Sequence, residues 1–123
     1  MKLKGVMLGS ENPKVLGDFY TKIFGKPGWQ QDDWYGFMIG DGNLMVGPHS
    51  EVKGKNDTPG RIMTTIDCGD VKKEFDRMKE LGATVVAEPY QPGKDKKAEL
   101  WLATLADPDG NYFQLMSPWE KKE

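Results

Sequence analysis

Two halves of the chain carry the same order of helix and turn signals, and this repeat limits the folds open to the chain more than any other feature. In the first half, Asn12 can cap a helix, apolar residues then recur at helical spacing, and Gly25 supplies a stop. In the second half, Asp70 and Gly82 bracket a run of the same kind. A repeat of this length predicts two copies of one supersecondary unit.

Runs typical of short strands surround both predicted helices. One run precedes each helix, at residues 3–8 and 61–67, and a predicted hairpin within 33–48 follows the first helix. The strand candidates after the second helix are 83–90, 98–106 and 111–118. Each half is therefore predicted to be a strand, a helix and about three further strands, that is, a βαβββ module.

The tripeptide Asp-Gly-Asn precedes the last strand of each half, at 41–43 and at 109–111. A βαβββ module cannot cover both faces of its sheet alone, so we expect the two modules to pack side by side. The predicted fold is α+β, with a curved eight-stranded mixed sheet, helices on its outer face and an inner face that forms a cup. We place module one at about 1–50, a linker at about 51–60 and module two at about 61–119, all within one domain.

Charge and cysteine content exclude several classes of function. The chain of 123 residues has 17 Lys and Arg against 19 Asp and Glu, so we expect neither nucleic acid nor a membrane surface as a partner. Its one cysteine and one histidine exclude a disulfide framework and zinc sites built from several Cys or His ligands. Without an apolar run of about 18 residues or a signal-peptide core, the sequence predicts a cytoplasmic protein.

Three motifs carry a resemblance to a known family. They are FYTKIFG at 19–25, DVKKEFDRMKELGATVV at 70–86 and above all DPDGNYFQL at 107–115. With them the chain resembles the vicinal oxygen chelate superfamily, which contains glyoxalases, bleomycin resistance proteins and extradiol dioxygenases. The resemblance implies cups that each hold a ligand or metal site, built within one chain or across a homodimer.

The resemblance also implies four positions for metal ligands, which in the metalloenzymes of the family are His, Glu or Gln. Here those positions hold Gly5, Val46, Met63 and Gln114, the second of them found by aligning the two Asp-Gly-Asn tripeptides. A zinc, nickel or iron ion needs three or more nitrogen or oxygen donors, and only Gln114 offers one. We therefore predict no metal and no other cofactor.

Other candidates for chemistry have simpler interpretations. His49 is expected in a surface loop, and Asp67 at a strand end that turns into the second helix, although either could serve as an unconventional metal ligand. Cys68 is expected to be buried and inert. The basic residues within 94–97 are expected to solubilise a loop, with a weaker alternative that they flank a pocket mouth and favour an anion.

Side-chain alternation predicts which residues line the cup. Taking the four ligand positions as inward gives Gly5, Met7, Gly9, Met63, Thr65, Asp67, Tyr112, Gln114 and Met116. Aromatic residues of the second and seventh strands add to this lining, and the candidate ligand-binding set is Met7, Trp34, Phe37, Met63, Thr65, Trp101, Tyr112 and Gln114. The alternative is that these side chains form ordinary core or a dimer interface. Gln114 needs a hydrogen-bond partner in either case.

The predicted function is binding of a small aromatic or amphipathic molecule in an apolar cup without the usual metal of the family, for sequestration, carriage or sensing. One alternative is a metal-dependent lyase or dioxygenase-type enzyme that uses Gln114, Asp67 and His49. A further alternative is a metal-free enzyme in which Asp67 or Tyr112 transfers a proton.

Overall fold

The computed structural model describes residues 1–93 and 100–118, and the chain divides into two compact units, Met1–Asn56 and Asp57–Glu123. The division falls within the segment 51–60, which carries no apolar periodicity. The basic residues within 94–97 lie outside the described residues.

The first unit is a four-stranded mixed sheet with one helix. Its elements are β1 Val6–Ser10, α1 Pro13–Phe24, β2 Trp29–Gln31, β3 Trp34–Ile39 and β4 Gly42–Pro48. The strand order is β1-β4-β3-β2, with β1 parallel to β4 and the other neighbours antiparallel. The short strand β2 is the one element of this unit that the sequence did not locate.

The second unit repeats this architecture. Its elements are β5 Thr64–Asp67, α2 Val71–Glu80, β6 Thr84–Tyr90, β7 Leu102–Ala106 and β8 Tyr112–Met116. The order is β5-β8-β7-β6, and β5 is parallel to β8. The prediction of two βαβββ modules of the α+β class is confirmed.

The two helices begin at the predicted caps, but the caps differ in chemistry. The Asp70 carboxylate accepts a hydrogen bond from the Lys73 backbone N–H at 3.1 Å, which satisfies one free donor of the first turn of α2. Asn12 occupies the same position before α1, yet its side chain makes no capping hydrogen bond. Its backbone N–H donates instead to Ser10 Oγ at 2.9 Å.

Each helix covers one face of the sheet in its own unit, which we call the helix face. In the first unit, buried side chains of α1 pack there against those of β3 and β4; these are Leu16, Phe19, Tyr20, Ile23, Tyr35, Phe37, Leu44 and Val46. In the second unit, Phe75 and Met78 of α2 lie buried with Phe113 and Leu115 of β8. The opposite face of each sheet, here called the helix-free face, carries the candidate site residues.

Candidate functional site

Tryptophan and methionine dominate the helix-free face of the first unit. Met45 pairs with Met7 across β4 and β1 and with Gly36 across β4 and β3, and Gly36 pairs with Trp29. Residues paired in this way project to the same side of a sheet. The members of this face are Met7, Gly9, Trp29, Gln31, Trp34, Gly36, Met38, Asn43, Met45 and Gly47.

Two cavities lie on this face. The larger, about 300 Å³, is lined by Gly28, Trp29, Gly36, Met38, Asn43 and Met45. The smaller, about 180 Å³, is lined by Lys4, Gly5, Val6, Met7, Asn43 and Met45. Because Asn43 and Met45 line both, the two cavities adjoin.

A glycine lies beside each of the two indole rings of this face. The Trp34 ring lies so close to Gly47 that a Cβ atom at position 47 would overlap it. The Trp29 ring lies on Gly36, where a Cβ would be 3.5 Å from Trp29 Cε3. The indole rings of the site therefore pack against backbone, which is less mobile than a side chain.

Val46, one of the four predicted ligand positions, lies on the helix face, and this corrects the sequence alignment. Gly40 and Asp41 alone separate β3 from β4, whereas residues 107–111 separate β7 from β8. Aligning the two Asp-Gly-Asn tripeptides therefore shifts the strands by one residue, which exchanges the faces. Met45 is the residue of β4 that corresponds to Gln114 in β8, because each pairs with β1 or β5 on the helix-free face.

Phe37, a predicted ligand-binding residue, is also on the helix face. It is buried, with its ring centroid 6.4 Å from those of Phe24 and Tyr35 and 6.5 Å from that of Tyr20. Alternation along β3 places Trp34 on the opposite side, in agreement with the contact of its ring with Gly47. Phe37 is core of the first unit, while Trp34 lies on the helix-free face.

The helix-free face of the second unit carries the predicted polar residues. Thr65 pairs with Gln114 and Asp67 with Met116, and alternation along β8 adds Tyr112. The Thr65 hydroxyl donates to Gln114 Oε1 at 3.4 Å, so the partner that Gln114 requires is Thr65. This contact leaves the Gln114 amide N–H groups available as donors. Met63 precedes β5 by one residue, and the same alternation places it on this face.

Trp101 lies on the helix side of the second unit, away from Gln114. The Lys72 ammonium of α2 is 3.9 Å from the centroid of its indole ring. Its backbone N–H donates to Ser117 Oγ at 2.8 Å, and Ser117 donates its backbone N–H to the Trp101 carbonyl oxygen. Trp101 is therefore held by a cation–π contact with the helix and does not join the other candidate residues.

His49 and Asp67, the two unconventional metal-ligand candidates, belong to different units. His49 Nδ1 accepts a hydrogen bond from the Glu51 backbone N–H at 3.1 Å, which engages one of its two ring nitrogens. Asp67 is an exposed carboxylate at the end of β5. Within residues 1–93 and 100–118, no group of three or more His, Cys, Asp or Glu side chains could hold a metal ion.

With Met45 in place of Val46, the four positions that the family resemblance implies for a metal hold Gly5, Met45, Met63 and Gln114. They offer two thioether sulfurs and one amide oxygen. This donor set does not fit a zinc, nickel or iron(II) ion, which requires three or more nitrogen, oxygen or thiolate ligands. No catalytic step through such an ion can be assigned to these side chains.

Cys68 lacks the features of a catalytic nucleophile. The residue is buried, and its thiol donates a weak hydrogen bond to the Ile66 carbonyl oxygen at 3.7 Å. Burial, followed by the negative charges of Glu74 and Asp67, raises the pKa of Cys68 to about 11. The thiol therefore stays protonated near neutral pH, as the sequence interpretation required.

Sequence reasoning missed several members of the first helix-free face, among them Trp29, Met38, Asn43 and Met45. Met38, Asn43 and Met45 follow from the pairing of Ile39 with Gly42 across a two-residue hairpin loop, whereas Trp29 is placed by its pairing with Gly36. The signal was present as the Gly40-Asp41 turn, because the loop length of a hairpin sets its register.

Along the chain that the structure describes, no helix has the length and apolar character needed to cross a membrane.

Comparison with known proteins agrees with this architecture. A family model described as Glyoxalase-like domain matches residues 5–116. A search of curated proteins finds no significant match. A glyoxalase-related enzyme from Fulvimarina pelagi is 16% identical with a TM-score of 0.74, and the alignment covers 96% of this chain and 89% of that one.

Two further solved structures share the fold. A glyoxalase/bleomycin resistance protein from Albidiferax ferrireducens T118 is 23% identical with a TM-score of 0.70, over 94% of this chain and 98% of that one. The fosfomycin resistance protein FosX from Listeria monocytogenes is 14% identical with a TM-score of 0.69, over 96% and 93%. The chain belongs to the glyoxalase-like domain family of the vicinal oxygen chelate superfamily.

Proposed function

We propose that the protein binds a small aromatic or amphipathic molecule on the helix-free face of its first unit, without a metal ion. The observation that supports this proposal is the cavity of about 300 Å³ lined by Trp29, Met38 and Met45, with Asn43 as its polar member. Apolar pockets with a few placed polar groups are typical of small-molecule sites. Methionine adapts its shape to a ligand, and the flat indole favours a flat partner.

Exposure of this face supports binding over a purely structural role. Met38 is 65% exposed, Trp29 47% and Met7 41%, although all three are large apolar side chains. Contiguous apolar side chains left in water commonly mark an interaction site. Each Å² of apolar surface that a ligand covers contributes about 25 cal/mol, so covering a few such side chains supplies several kcal/mol before the costs of association.

Asn43 provides the orienting contact in this proposal. Asn43 lines both adjoining cavities, and its side chain has no hydrogen bond within residues 1–93 and 100–118. A carboxamide offers one acceptor and two donor hydrogens, so it can bind a carbonyl or hydroxyl group of a ligand. An amphipathic molecule would satisfy Asn43 and the apolar walls together.

The names of the structural relatives include both an enzyme and proteins of drug resistance. For this chain the donor set at the four ligand positions favours sequestration, carriage or sensing over metal-dependent catalysis. We also propose that the protein is cytoplasmic and that it forms a homodimer. A net charge of −2 supports the absence of nucleic acid and membrane partners.

The test is a fluorescence titration with N-phenyl-1-naphthylamine, a neutral aromatic dye, against the wild-type protein and Met45→Gln. The substitution keeps the length of the side chain and makes it polar, so we expect the dye to bind about tenfold more weakly, equivalent to about 1.4 kcal/mol. Val15→Gln is the matched control because Val15 is exposed on α1, outside the site. Circular dichroism establishes that all three proteins are folded.

Two results would overturn the proposal. Equal dye affinity in the wild-type protein and Met45→Gln would exclude the first helix-free face as the binding surface. Retention of one equivalent of nickel, zinc, cobalt or iron(II) at micromolar affinity would contradict the metal-free part, particularly if Gln114→Ala abolished it. We expect dye binding to be the same with and without a chelator.

A further inference from the structure

A cavity of about 400 Å³ in the second unit stands outside the proposed function. It is lined by Thr58, Pro59, Gly60 and Arg61 and by Tyr112 of β8. We propose that this cavity binds the carboxylate group of an aromatic acid, with the Arg61 guanidinium as the charged partner and the Tyr112 ring beside the aromatic portion. The site belongs to a different unit from the dye site, so neither proposal depends on the other.

The turn that carries Arg61 is fixed against the Tyr112 ring. The Arg61 backbone N–H donates to the Thr58 carbonyl oxygen at 3.1 Å, which closes the turn. Gly60 lies against Tyr112, since a Cβ at position 60 would be 3.9 Å from both Cδ2 and Cε2 of the ring. The backbone of Arg61 therefore belongs to a hydrogen-bonded turn that lies beside the aromatic ring of Tyr112.

The charge of Arg61 is available for a ligand. Lys14, Lys53 and Arg77 form the ion pairs of residues 1–93 and 100–118, and Arg61 takes part in none of them. The side chains around the cavity include no carboxylate. Arg77 provides the contrast, because its Nε lies 2.8 Å from Glu74 Oε2. An arginine beside a cavity without an acidic partner favours an anion.

Neighbouring groups on the helix-free face add donors. Gln114 shares this face with Tyr112, and its carbonyl oxygen is engaged by Thr65 while its amide N–H groups remain. Asp67, an acidic residue of this face, pairs with Met116 at the far end of β5. Met63 is the residue level with Tyr112, and Asp67 lies four positions further along the chain. The extended chain between them spans roughly 13 Å. The Arg61 end of the face therefore offers donors and positive charge.

The geometry selects a planar carboxylate attached to an aromatic ring. The guanidinium fork matches the two oxygens of a carboxylate in a bidentate contact. The Tyr112 ring supplies a flat apolar surface next to that contact, which suits an aromatic ring in offset or edge contact. A ligand with both parts uses both features of the cavity at once.

The experiment compares 2-naphthoate with 2-naphthamide, which have the same ring system and differ in charge, by isothermal titration calorimetry at neutral pH. We expect the wild-type protein to bind 2-naphthoate about tenfold more tightly than the amide. We expect Arg61→Gln to lose this preference without loss of folding, because the residue is exposed. Arg77→Gln makes the same substitution in the same unit and should keep the preference.

Amide signals in nitrogen–proton NMR spectra identify the site. With 2-naphthoate we expect shifts at Gly60, Arg61 and Tyr112 in the wild-type protein, and their loss in Arg61→Gln. Equal affinities of the wild-type protein for the two naphthalene compounds would overturn the proposal, and so would an unchanged preference in Arg61→Gln. The naphthylamine dye titration is independent, so failure here leaves the proposal for the first unit intact.

Discussion

The indole ring of Trp34 lies directly on the backbone of Gly47, on the neighbouring strand of the same sheet. No side chain larger than hydrogen fits beneath the ring in its present position. This close approach places Trp34 on the helix-free face beside the methionines. A single methyl group added at Gly47 should therefore lower the free energy of unfolding.

We predict that Gly47→Ala lowers the free energy of unfolding by about 1–3 kcal/mol, the usual range for overpacking. The added Cβ would overlap the Trp34 ring and displace it. Urea denaturation measures the change. Gly69→Ala is the control because a Cβ there meets no atom within 4 Å and its φ is not left-handed, so its effect should stay within about 0.5 kcal/mol. Equal stability of the two variants would contradict the prediction.

The two helix caps should respond differently to the same substitution. Asp70→Ala removes the hydrogen bond to the Lys73 N–H, and we expect it to cost about 1 kcal/mol of unfolding free energy. Asn12→Ala should cost clearly less, because the Asn12 side chain makes no capping bond and its backbone donor to Ser10 is retained. Thermal or urea unfolding of both variants tests this, and equal losses would refute it.

Cys68 should react slowly with thiol reagents. Its raised pKa, about 11, leaves little thiolate near pH 8, and its burial limits access. We expect its reaction with a disulfide reagent such as 5,5′-dithiobis(2-nitrobenzoate) to be at least about tenfold slower in the native protein than in urea. Equal rates in the two conditions would contradict this, because the native thiol would then be as accessible and as readily ionised as in the unfolded chain.

The same shift predicts a pH dependence of stability. The unfolded thiol ionises near its ordinary pKa of 9.0, while the folded thiol holds its proton until about 11. The folded state thus binds more protons in this interval, so the free energy of unfolding falls as pH rises from about 9 to about 11. Cys68→Ala should show a shallower fall, and an identical slope in both proteins would contradict this assignment.

The amino-acid sequence by itself determined the architecture of each unit. The caps Asn12 and Asp70, the stops Gly25 and Gly82, and the alternating strands act over a few residues, so local signals were sufficient to predict two βαβββ modules. The family resemblance, through its four implied ligand positions, also predicted the faces of β5 and β8, and Thr65 and Gln114 lie on one face as expected. These features depend on local propensity and on a side-chain period of two.

Only the tertiary structure decided which residues of the other strands lie together. The register of β3 with β4 depends on a loop of two residues. The sequence alignment was wrong by one residue, so it named Val46 in place of Met45 and missed Met38 and Asn43. Phe37 lies among the rings under α1, and Trp101 lies under Lys72, because the helices cover those faces. Neighbours that are distant in sequence fix these positions, so only the packed fold assigns Phe37 and Trp101 to the core side and Met45 to the candidate site.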